Sequence, residues 1–189
     1  MNAGTHPRLV GTPVPETERL RLRAPVAADF EPYAAFAASS RAAFVGGGVG
    51  RNLAWRGFCH LTGHWVHRDY GVFVFCDKAT DAPLGTTGPF YPEGWPEPEI
   101  AWSVWHPGAE GKGLAHEAAR AARAWAYDVL GWTTAISLID PHNTRSAALA
   151  RRMGCVRDGT FVHEQYGATD IWRHPAAAAL ADGGMEACA

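Results

Sequence analysis

A glycine-rich turn between an apolar run and an alanine-rich run is the segment of this sequence best suited to bind a ligand. Glu110-Gly-Lys-Gly-Leu-Ala115 forms that turn. A helix that begins here presents unpaired N–H groups and about half a positive charge to an anion. Gly111 and Gly113 carry no side chain that would keep a diphosphate from the backbone amides. The turn therefore predicts a diphosphate-binding site.

Two common phosphate-binding motifs fit this turn poorly. A P-loop requires four residues between its first glycine and the Gly-Lys pair, followed by Ser or Thr, whereas Gly113 follows Lys112 here. A dinucleotide fingerprint requires a third glycine at the position of His116. The alternative interpretation is that this segment is only a flexible turn that leads into a helix and binds no ligand.

A second segment makes the interpretation more specific. Asn143-Thr-Arg-Ser-Ala-Ala-Leu149, followed by Met153-Gly-Cys155, lies about one helix and one strand after the turn. Together the two segments resemble the Gln/Arg-x-x-Gly-x-Gly/Ala and Asn-x-x-Ser/Ala-x-x-Leu…Leu-Gly-Phe stretches of the GNAT superfamily of N-acetyltransferases. Glu18-Arg-Leu-Arg-Leu-Arg23 and Glu99-Ile-Ala-Trp-Ser-Val104 also look like the ribosomal-protein N-acetyltransferase (RimJ/RimL-like) branch. The resemblance covers roughly residues 15 to 175.

The resemblance implies that acetyl-CoA is the cosubstrate and that its acetyl group moves to a primary amine, which is a peptide N-terminus or a small molecule. A backbone N–H near Val104 to His106 would then meet the tetrahedral oxyanion, and Asn143 would cap its helix and contact pantetheine. The residues expected around acetyl-CoA are Val104, Trp105, His106, Gly111, Lys112, Gly113, Leu114, Ala115 and Asn143.

Glu99 and Ser146 are the candidates for proton transfer. An amine of pKa about 8 to 10.4 must lose a proton before it attacks, and Glu99 is the candidate base, with Glu97 in reserve. An exposed carboxylate in a Glu-Pro-Glu loop is the alternative interpretation of Glu99. Ala150 stands where many relatives have a Tyr that protonates the thiolate, so Ser146 becomes the candidate donor; local hydrogen bonding in the first helical turn is its alternative.

Departures from the family pattern leave a second hypothesis open. Glu110 replaces Gln or Arg, and Cys155 replaces Phe. Glu110 and Ala150 together leave the alternative hypothesis that the chain is a CoA-binding module with little catalysis. A purely structural protein would leave both motifs unexplained.

The hydrophobic pattern predicts the elements β, α, α, β, β, β, α, β, α, β, β. This order indicates an α/β fold with a mixed sheet. The resemblance to the GNAT superfamily implies that the sheet is mostly antiparallel and flanked by helices. The clearest helix is expected over residues 111–130, with Leu114, Ala118, Ala121, Trp125 and Val129 as its buried stripe. We expect one domain over residues 1–175 and a loosely packed tail over residues 176–189.

Composition excludes several classes of protein. A net charge of −2 and a pI near 6.5 argue against nucleic acid as a partner. No apolar run reaches the ~20 residues that span a bilayer, and the N-terminus is polar, so we expect neither a membrane segment nor a secretory signal. Four scattered cysteines indicate free thiols in the cytoplasm. The sequence leaves the oligomeric state open, a homodimer included.

Histidine and aromatic clusters are further candidate sites. His60, His64 and His67 share one helical face, but no further ligand completes a zinc site, so we expect no metal. Aromatic residues belong more often to a core than to an acceptor pocket, so only one or two of these five are expected to contact the acceptor: Trp55, Trp65, Tyr91, Trp95 and Trp102.

Overall fold

The computed structural model describes residues 9–164 and 167–181, which form a seven-stranded sheet covered by helices. The strands are β1 (Leu20–Arg23), β2 (Phe73–Asp77), β3 (Pro83–Phe90), β4 (Glu99–Val104), β5 (Ile136–Ile139), β6 (Val156–His163) and β7 (Gly167–Arg173). The α-helices are α1 (Phe30–Ala38), α2 (Arg51–Arg68), α3 (Leu114–Leu130), α4 (Thr144–Arg152) and α5 (Ala177–Ala181). Short 3-10 helices cover Ala27–Asp29, Ser40–Val45 and Pro107–Ala109.

The strands follow the order β1-β2-β3-β4-β5-β7-β6 across the sheet. Every neighbouring pair is antiparallel except β4 and β5, which are parallel. A parallel pair needs a long crossover, and α3 supplies it. The predicted fold class, a mixed and mostly antiparallel sheet flanked by helices, is confirmed.

Strand β2 shows how both faces of the sheet are buried. Phe73 and Phe75 belong to the cluster that packs under α3, whereas Val74 and Cys76 pack with Phe36 of α1 on the opposite face. Successive side chains of a strand point to opposite faces, so a continuous apolar run serves a sheet that is covered on both sides.

Helix α3 ends at Leu130 as predicted, but it differs from the sequence prediction at its start and in its buried face. It begins at Leu114 rather than at residue 111, because Gly111 and Gly113 have φ of 71° and 73°, outside the helical region. Its buried face consists mainly of alanines, which let the helix approach the sheet closely: Ala118, Ala119, Ala122 and Ala126. The prediction that Val129 is buried is wrong, since its side chain is 62% exposed in the last turn of the helix.

The chain after β7 continues into α5, where the sequence suggested a loosely packed tail. Ala177 and Leu180 pack against the cluster that contains Ile100 and Ala126. Residues 182–189, and Cys188 with them, lie outside the described residues. Within residues 9–164 and 167–181, no helix has both the length and the apolar character needed to cross a membrane.

Candidate active site

The two parallel strands at the centre of the sheet separate soon after they meet. Glu99 pairs with Ile136, and Ile136 N–H donates to Pro98 O at 3.0 Å. In the described part of the chain, this is the one Cα pair of the β4–β5 ladder. We call this point the fork. The backbone of β4 beyond it faces a gap instead of a neighbouring strand.

A cavity of about 690 Å3 opens at the fork. Its walls come from α1, α2, β4, β5 and the start of α4, so the sheet and both helical layers contribute to it. Among the predicted site residues, Glu99, Asn143 and Ser146 line this cavity. A concave space of this size is typical of a small-molecule site.

Glu99 lies at the base of the fork and is only 6% exposed. Leu138 N–H donates to its Oε1 at 3.0 Å, and Trp95 Nε1–H donates to its Oε2 at 2.5 Å. Burial raises the pKa of Glu99 to about 7, although both hydrogen bonds act in the opposite direction. The alternative of an exposed loop carboxylate is therefore wrong, and the carboxyl group can exchange a proton near neutral pH.

Glu97 has a different environment. Arg173 donates to both of its carboxylate oxygens, at 2.8 and 2.7 Å. This bidentate pair lowers the pKa of Glu97. A carboxylate held in its charged form is a weak proton acceptor, so the geometry favours Glu99 over Glu97 as a base.

The start of α4 brings two predicted residues together. Asn143 Oδ1 accepts a hydrogen bond from Ser146 N–H at 3.1 Å, which makes Asn143 the cap of the helix. Ser146 Oγ accepts from Trp102 Nε1–H at 3.2 Å. Since an indole N–H only donates, the hydroxyl proton of Ser146 stays available for another acceptor. Ala150 packs in the core beside Ala119 and is fully buried.

The glycine turn before α3 is open on its outer side. A Cβ added to Gly111 would meet nothing within 4 Å, and one added to Gly113 would lie 3.7 Å from Arg19 Nη2. Arg19 also donates to Lys112 O at 3.0 Å and forms an ion pair with Glu117 at 2.6 Å. A guanidinium group thus stands beside the predicted diphosphate position. Arg19 directly precedes β1 and lies more than ninety residues from the turn in sequence, so the motif itself does not predict its presence there.

The backbone at the end of β4 differs from the expectation for an oxyanion site. Trp105 N–H and His106 N–H both donate to Leu84 O, at 2.7 and 3.1 Å, so neither points into the gap. His106 also uses its Nδ1 to accept from Gly108 N–H. Since neighbouring residues of a strand direct their N–H groups to opposite sides, Val104 N–H faces the gap. Of the three residues, Val104 alone retains the predicted orientation.

An ion-pair cluster that the sequence motifs do not predict lies beside this strand end. Arg41 donates to Trp105 O at 2.6 Å, to Val104 O at 2.8 Å and to Glu110 Oε1 at 2.6 Å. Arg145 donates to the other Glu110 oxygen at 2.8 Å. We call Arg41, Glu110 and Arg145 the mouth. Glu110 is thus held by two guanidinium groups.

Some residues of the aromatic and histidine clusters line the cavity, and others pack in the core. Trp95 and Trp102 line the cavity, whereas Trp65 packs on Phe73 in the core at 5.2 Å between ring centroids. His64 is buried, with Nδ1 2.7 Å from Tyr70 O, and its Nε2 accepts from Tyr91 N–H at 2.9 Å. Within the described ranges no group of three potential ligands could hold a metal ion.

The chain is similar to known proteins in sequence and in structure. The sequence profile of the acetyltransferase (GNAT) domain matches residues 19–156. The chain is 33% identical to an acetyltransferase from Agrobacterium tumefaciens strain C58, over 91% of this chain and 99% of that one, with a TM-score of 0.80. A GNAT-family acetyltransferase from Bordetella pertussis shares 25% identity over 86% and 99% of the two chains, with a TM-score of 0.72.

A more distant structure shares the fold alone. RimL, a ribosomal L7/L12 α-N-protein acetyltransferase in complex with coenzyme A, is 11% identical over 86% of this chain and 97% of its own, with a TM-score of 0.65. No curated protein sequence matches the chain significantly. The profile match spans more than half of the sequence, and the Agrobacterium acetyltransferase is similar over almost all of it. The chain therefore belongs to the GNAT acetyltransferase family.

Proposed function

We propose that this protein transfers the acetyl group of acetyl-CoA to a primary amine and that Glu99 is the base. The observation that carries the proposal is a buried carboxyl group with a pKa of about 7 in a cavity at the fork. Near neutral pH such a group is about half ionised, and its pKa lies only about one to three units below that of the ammonium ion that must lose a proton. Glu99 would take the ammonium proton, directly or through a water molecule.

The geometry supports one arrangement of acetyl-CoA. Its diphosphate fits the open turn of Gly111 and Gly113, where Arg19 supplies a positive charge beside the N-terminus of α3. Its thioester arm would follow the free edge of β4 towards the fork. Val104 N–H would then donate to the oxyanion that forms when the amine attacks the carbonyl carbon.

Ser146 supports the departure of the thiolate. The C–S bond of the tetrahedral intermediate breaks as the carbonyl re-forms, and the sulfur atom needs a proton. Ser146 lines the cavity and receives a hydrogen bond from Trp102, which orients its hydroxyl proton away from the indole ring. We assign Ser146 the role of proton donor and Asn143 a contact with pantetheine.

The acceptor belongs to the class of primary amines, as a peptide N-terminus or a small molecule. RimL acts on a ribosomal protein and shares the fold, and the segments 18–23 and 99–104 resemble that branch. We therefore propose a RimJ/RimL-like acetyltransferase. We place it in the cytoplasm, because the described cysteines are free thiols and such thiols persist in a reducing compartment.

A thiol-release assay tests the proposal. Acetyl-CoA is mixed with peptides that begin with Ser or Ala, with a polyamine, with an aminoglycoside and with an arylalkylamine, and free CoA is measured. We expect turnover with at least one amine and its loss in Glu99→Gln. Turnover that Glu99→Gln leaves unchanged would remove Glu99 from the mechanism.

The mouth supports one second candidate, a CoA-binding protein with little catalysis. The Glu110 carboxylate, paired with Arg41 and Arg145, places a negative charge close to the expected diphosphate, at a position where the motif that this turn resembles has Gln or Arg. A thermal-shift titration with acetyl-CoA should raise Tm under both hypotheses, since a ligand of the folded state stabilises it even where no amine is acetylated. A raised Tm without thiol release for any amine of the panel would favour the second candidate.

A further inference from the structure

Two side-chain hydrogen bonds cross from β5 to β4 at the fork. Ser137 Oγ lies 2.7 Å from Ile100 O, and Leu138 N–H donates to Glu99 Oε1 at 3.0 Å. Neighbouring residues of one strand are thus bonded to neighbouring residues of the other, directly beyond the pair of Glu99 and Ile136. Hydrogen bonds that involve side chains thus connect the two strands where the backbone ladder ends.

His174 contacts the hydroxyl group of Ser137 in the protein interior. Its Nε2 lies 2.9 Å from Ser137 Oγ, and the two residues are 2% and 1% exposed. The backbone of His174 is itself fixed to the start of β5, since its N–H donates to Ala135 O at 2.9 Å. A buried imidazole and a buried hydroxyl are costly unless their polar atoms are bonded, and here they bond to one another.

Arg123 of α3 determines the direction of these hydrogen bonds. Its Nη1 lies 3.4 Å from His174 Nδ1 and donates to Met153 O at 2.7 Å. A guanidinium group only donates, so Nδ1 accepts and the proton of the neutral ring is on Nε2. Burial first, and the charge of Arg123 second, lower the pKa of His174 to about 3, which keeps the ring neutral. Nε2–H therefore donates to Ser137, and Ser137 donates to Ile100 O.

We infer that Ser137 and His174 are positioning residues that fix the fork and thereby hold the Leu138 N–H against the Glu99 carboxylate. Leu138 follows Ser137 directly in β5, and Glu99 precedes Ile100 directly in β4. A shift of Ser137 against Ile100 therefore moves the donor and the carboxylate apart. The inference rests on the proposed function, in which Glu99 is the base.

Ser137→Ala is the direct test. The alanine has no hydroxyl group, so Ile100 O loses its donor and Leu138 N–H is held less closely to Glu99. That N–H favours the charged carboxylate, so its loss should raise the pKa of Glu99 further, by roughly half a unit or more. Carboxyl 13C NMR of glutamate-labelled protein measures the pKa, and Glu99→Gln identifies the resonance. With the best amine of the panel, kcat should fall roughly tenfold and the KM for acetyl-CoA should stay unchanged.

Thr87→Val is the matched control. Thr87 is fully buried, and its hydroxyl donates to Ala101 O of β4 at 3.0 Å, on the edge that faces β3. Thr87→Val removes one buried hydroxyl donor to β4, the strand to which Ser137 also donates, and Thr87 does not contact Glu99. We expect a similar loss of stability in both variants, and unchanged Glu99 pKa and kcat in Thr87→Val.

Variants of His174 extend the test in case Ser137→Ala does not fold. Glutamine offers an N–H donor to Ser137, so His174→Gln should retain most of the activity and the Glu99 pKa, whereas His174→Leu should behave as Ser137→Ala. Equal effects of His174→Gln and His174→Leu on the Glu99 pKa would contradict the inference.

A double variant separates this inference from the proposed function. If Ser137 acts through Glu99, Ser137→Ala should reduce the residual turnover of Glu99→Gln by less than twofold. An undiminished tenfold reduction would overturn the positioning role. If Glu99→Gln is fully active, the base is wrong instead, and the NMR titration still decides whether Ser137 governs the Glu99 carboxyl. An unchanged Glu99 pKa in Ser137→Ala would overturn the inference in either case.

Discussion

The fork and the mouth each contain one carboxyl group, and the surroundings of these two groups are opposite. Glu99 at the fork is buried and receives hydrogen bonds from a neutral amide and an indole. Glu110 at the mouth has a side chain that is 35% exposed and binds two arginines. Desolvation therefore sets the protonation of Glu99, whereas ion pairs hold Glu110.

This difference predicts different sensitivities to substitution. A buried carboxyl group depends on each nearby donor, because few atoms solvate it. A partly exposed ion pair contributes only about 0–1 kcal/mol and can be exchanged for another anion, such as a diphosphate. Changes at the fork should therefore have large effects on chemistry, and changes at the mouth small effects on binding.

The largest effect is expected for Glu99→Gln. The glutamine keeps the shape but accepts no proton, so kcat/KM at neutral pH should fall about 100-fold or more. In the parent protein, log kcat/KM should rise with pH through about 7 and then level off, since the pKa of Glu99 is about 7. The loss should shrink at high pH, where the free amine is abundant. A loss of equal size at every pH would mean that Glu99 positions the acceptor.

The free energy of unfolding should also depend on the protonation of Glu99. The pKa of Glu99 rises from 4.5 to about 7 on folding, so between these values the folded state binds more protons and the free energy of unfolding falls as pH rises. The parent protein should lose roughly 2–3 kcal/mol between about pH 5 and about pH 8 through this group, and Glu99→Gln should not. Urea unfolding at both pH values measures the difference. Glu97→Gln is the control, since the pKa of Glu97 is lowered and this group should add no pH dependence above about pH 5.

At the diphosphate turn, Gly113→Ala should weaken acetyl-CoA binding about tenfold, because its Cβ would point towards the open anion position. Gly113 has φ of 73°, so the alanine also costs about 1–2 kcal/mol of stability. Gly131→Ala at the other end of α3 is matched in strain, with φ of 69° and open space around its Cβ. Calorimetry should find normal affinity in Gly131→Ala, and normal affinity in Gly113→Ala as well would place the diphosphate elsewhere.

Ser146→Ala should lower kcat about fivefold and leave the Kd of acetyl-CoA unchanged, because the hydroxyl acts on the departing thiolate. The expected loss is moderate, since water can also protonate a thiolate. Single-turnover measurement of thiol release tests this step. Unchanged kcat would make water the donor.

The smallest effect is expected at the mouth. Glu110→Gln removes the carboxylate that competes with the diphosphate for Arg41 and Arg145, so acetyl-CoA should bind about threefold more tightly at low salt. Glu31→Gln removes a similar exposed carboxylate that pairs with Arg51 in another part of the molecule, and it should leave the affinity unchanged. Weaker binding in Glu110→Gln would show that Glu110 supports the cosubstrate rather than opposes it.

Local patterns in the sequence were sufficient to predict the fold class and the order of the strands and longer helices. The apolar run of β2 and the alanines of α3 carry their own periodicity, and Asn143 is a common cap residue at a common position. The start of α3 could not be placed in the same way, since a glycine permits both helical and left-handed backbone.

The environment of each candidate site residue depends on distant parts of the chain. Glu99 lies in a polar Glu-Pro-Glu segment, and its burial results from Trp95 and from Leu138 on β5. Arg41 reaches Glu110 across 69 residues of sequence, and Arg123 reaches His174 across 51. Such contacts follow from tertiary packing, which propensity and spacing do not encode.

The gap beside β4 also affects how fast the amides of the sheet exchange with deuterium. Protons of central strands normally exchange most slowly. Val104 N–H faces the gap, whereas Trp105 N–H is bonded to Leu84 O. In D2O the Val104 amide should exchange much faster than that of Trp105, although both lie at the middle of the sheet. Acetyl-CoA that occupies the gap would slow Val104 alone, so this pair of neighbouring amides reports on ligand position without any measurement of turnover.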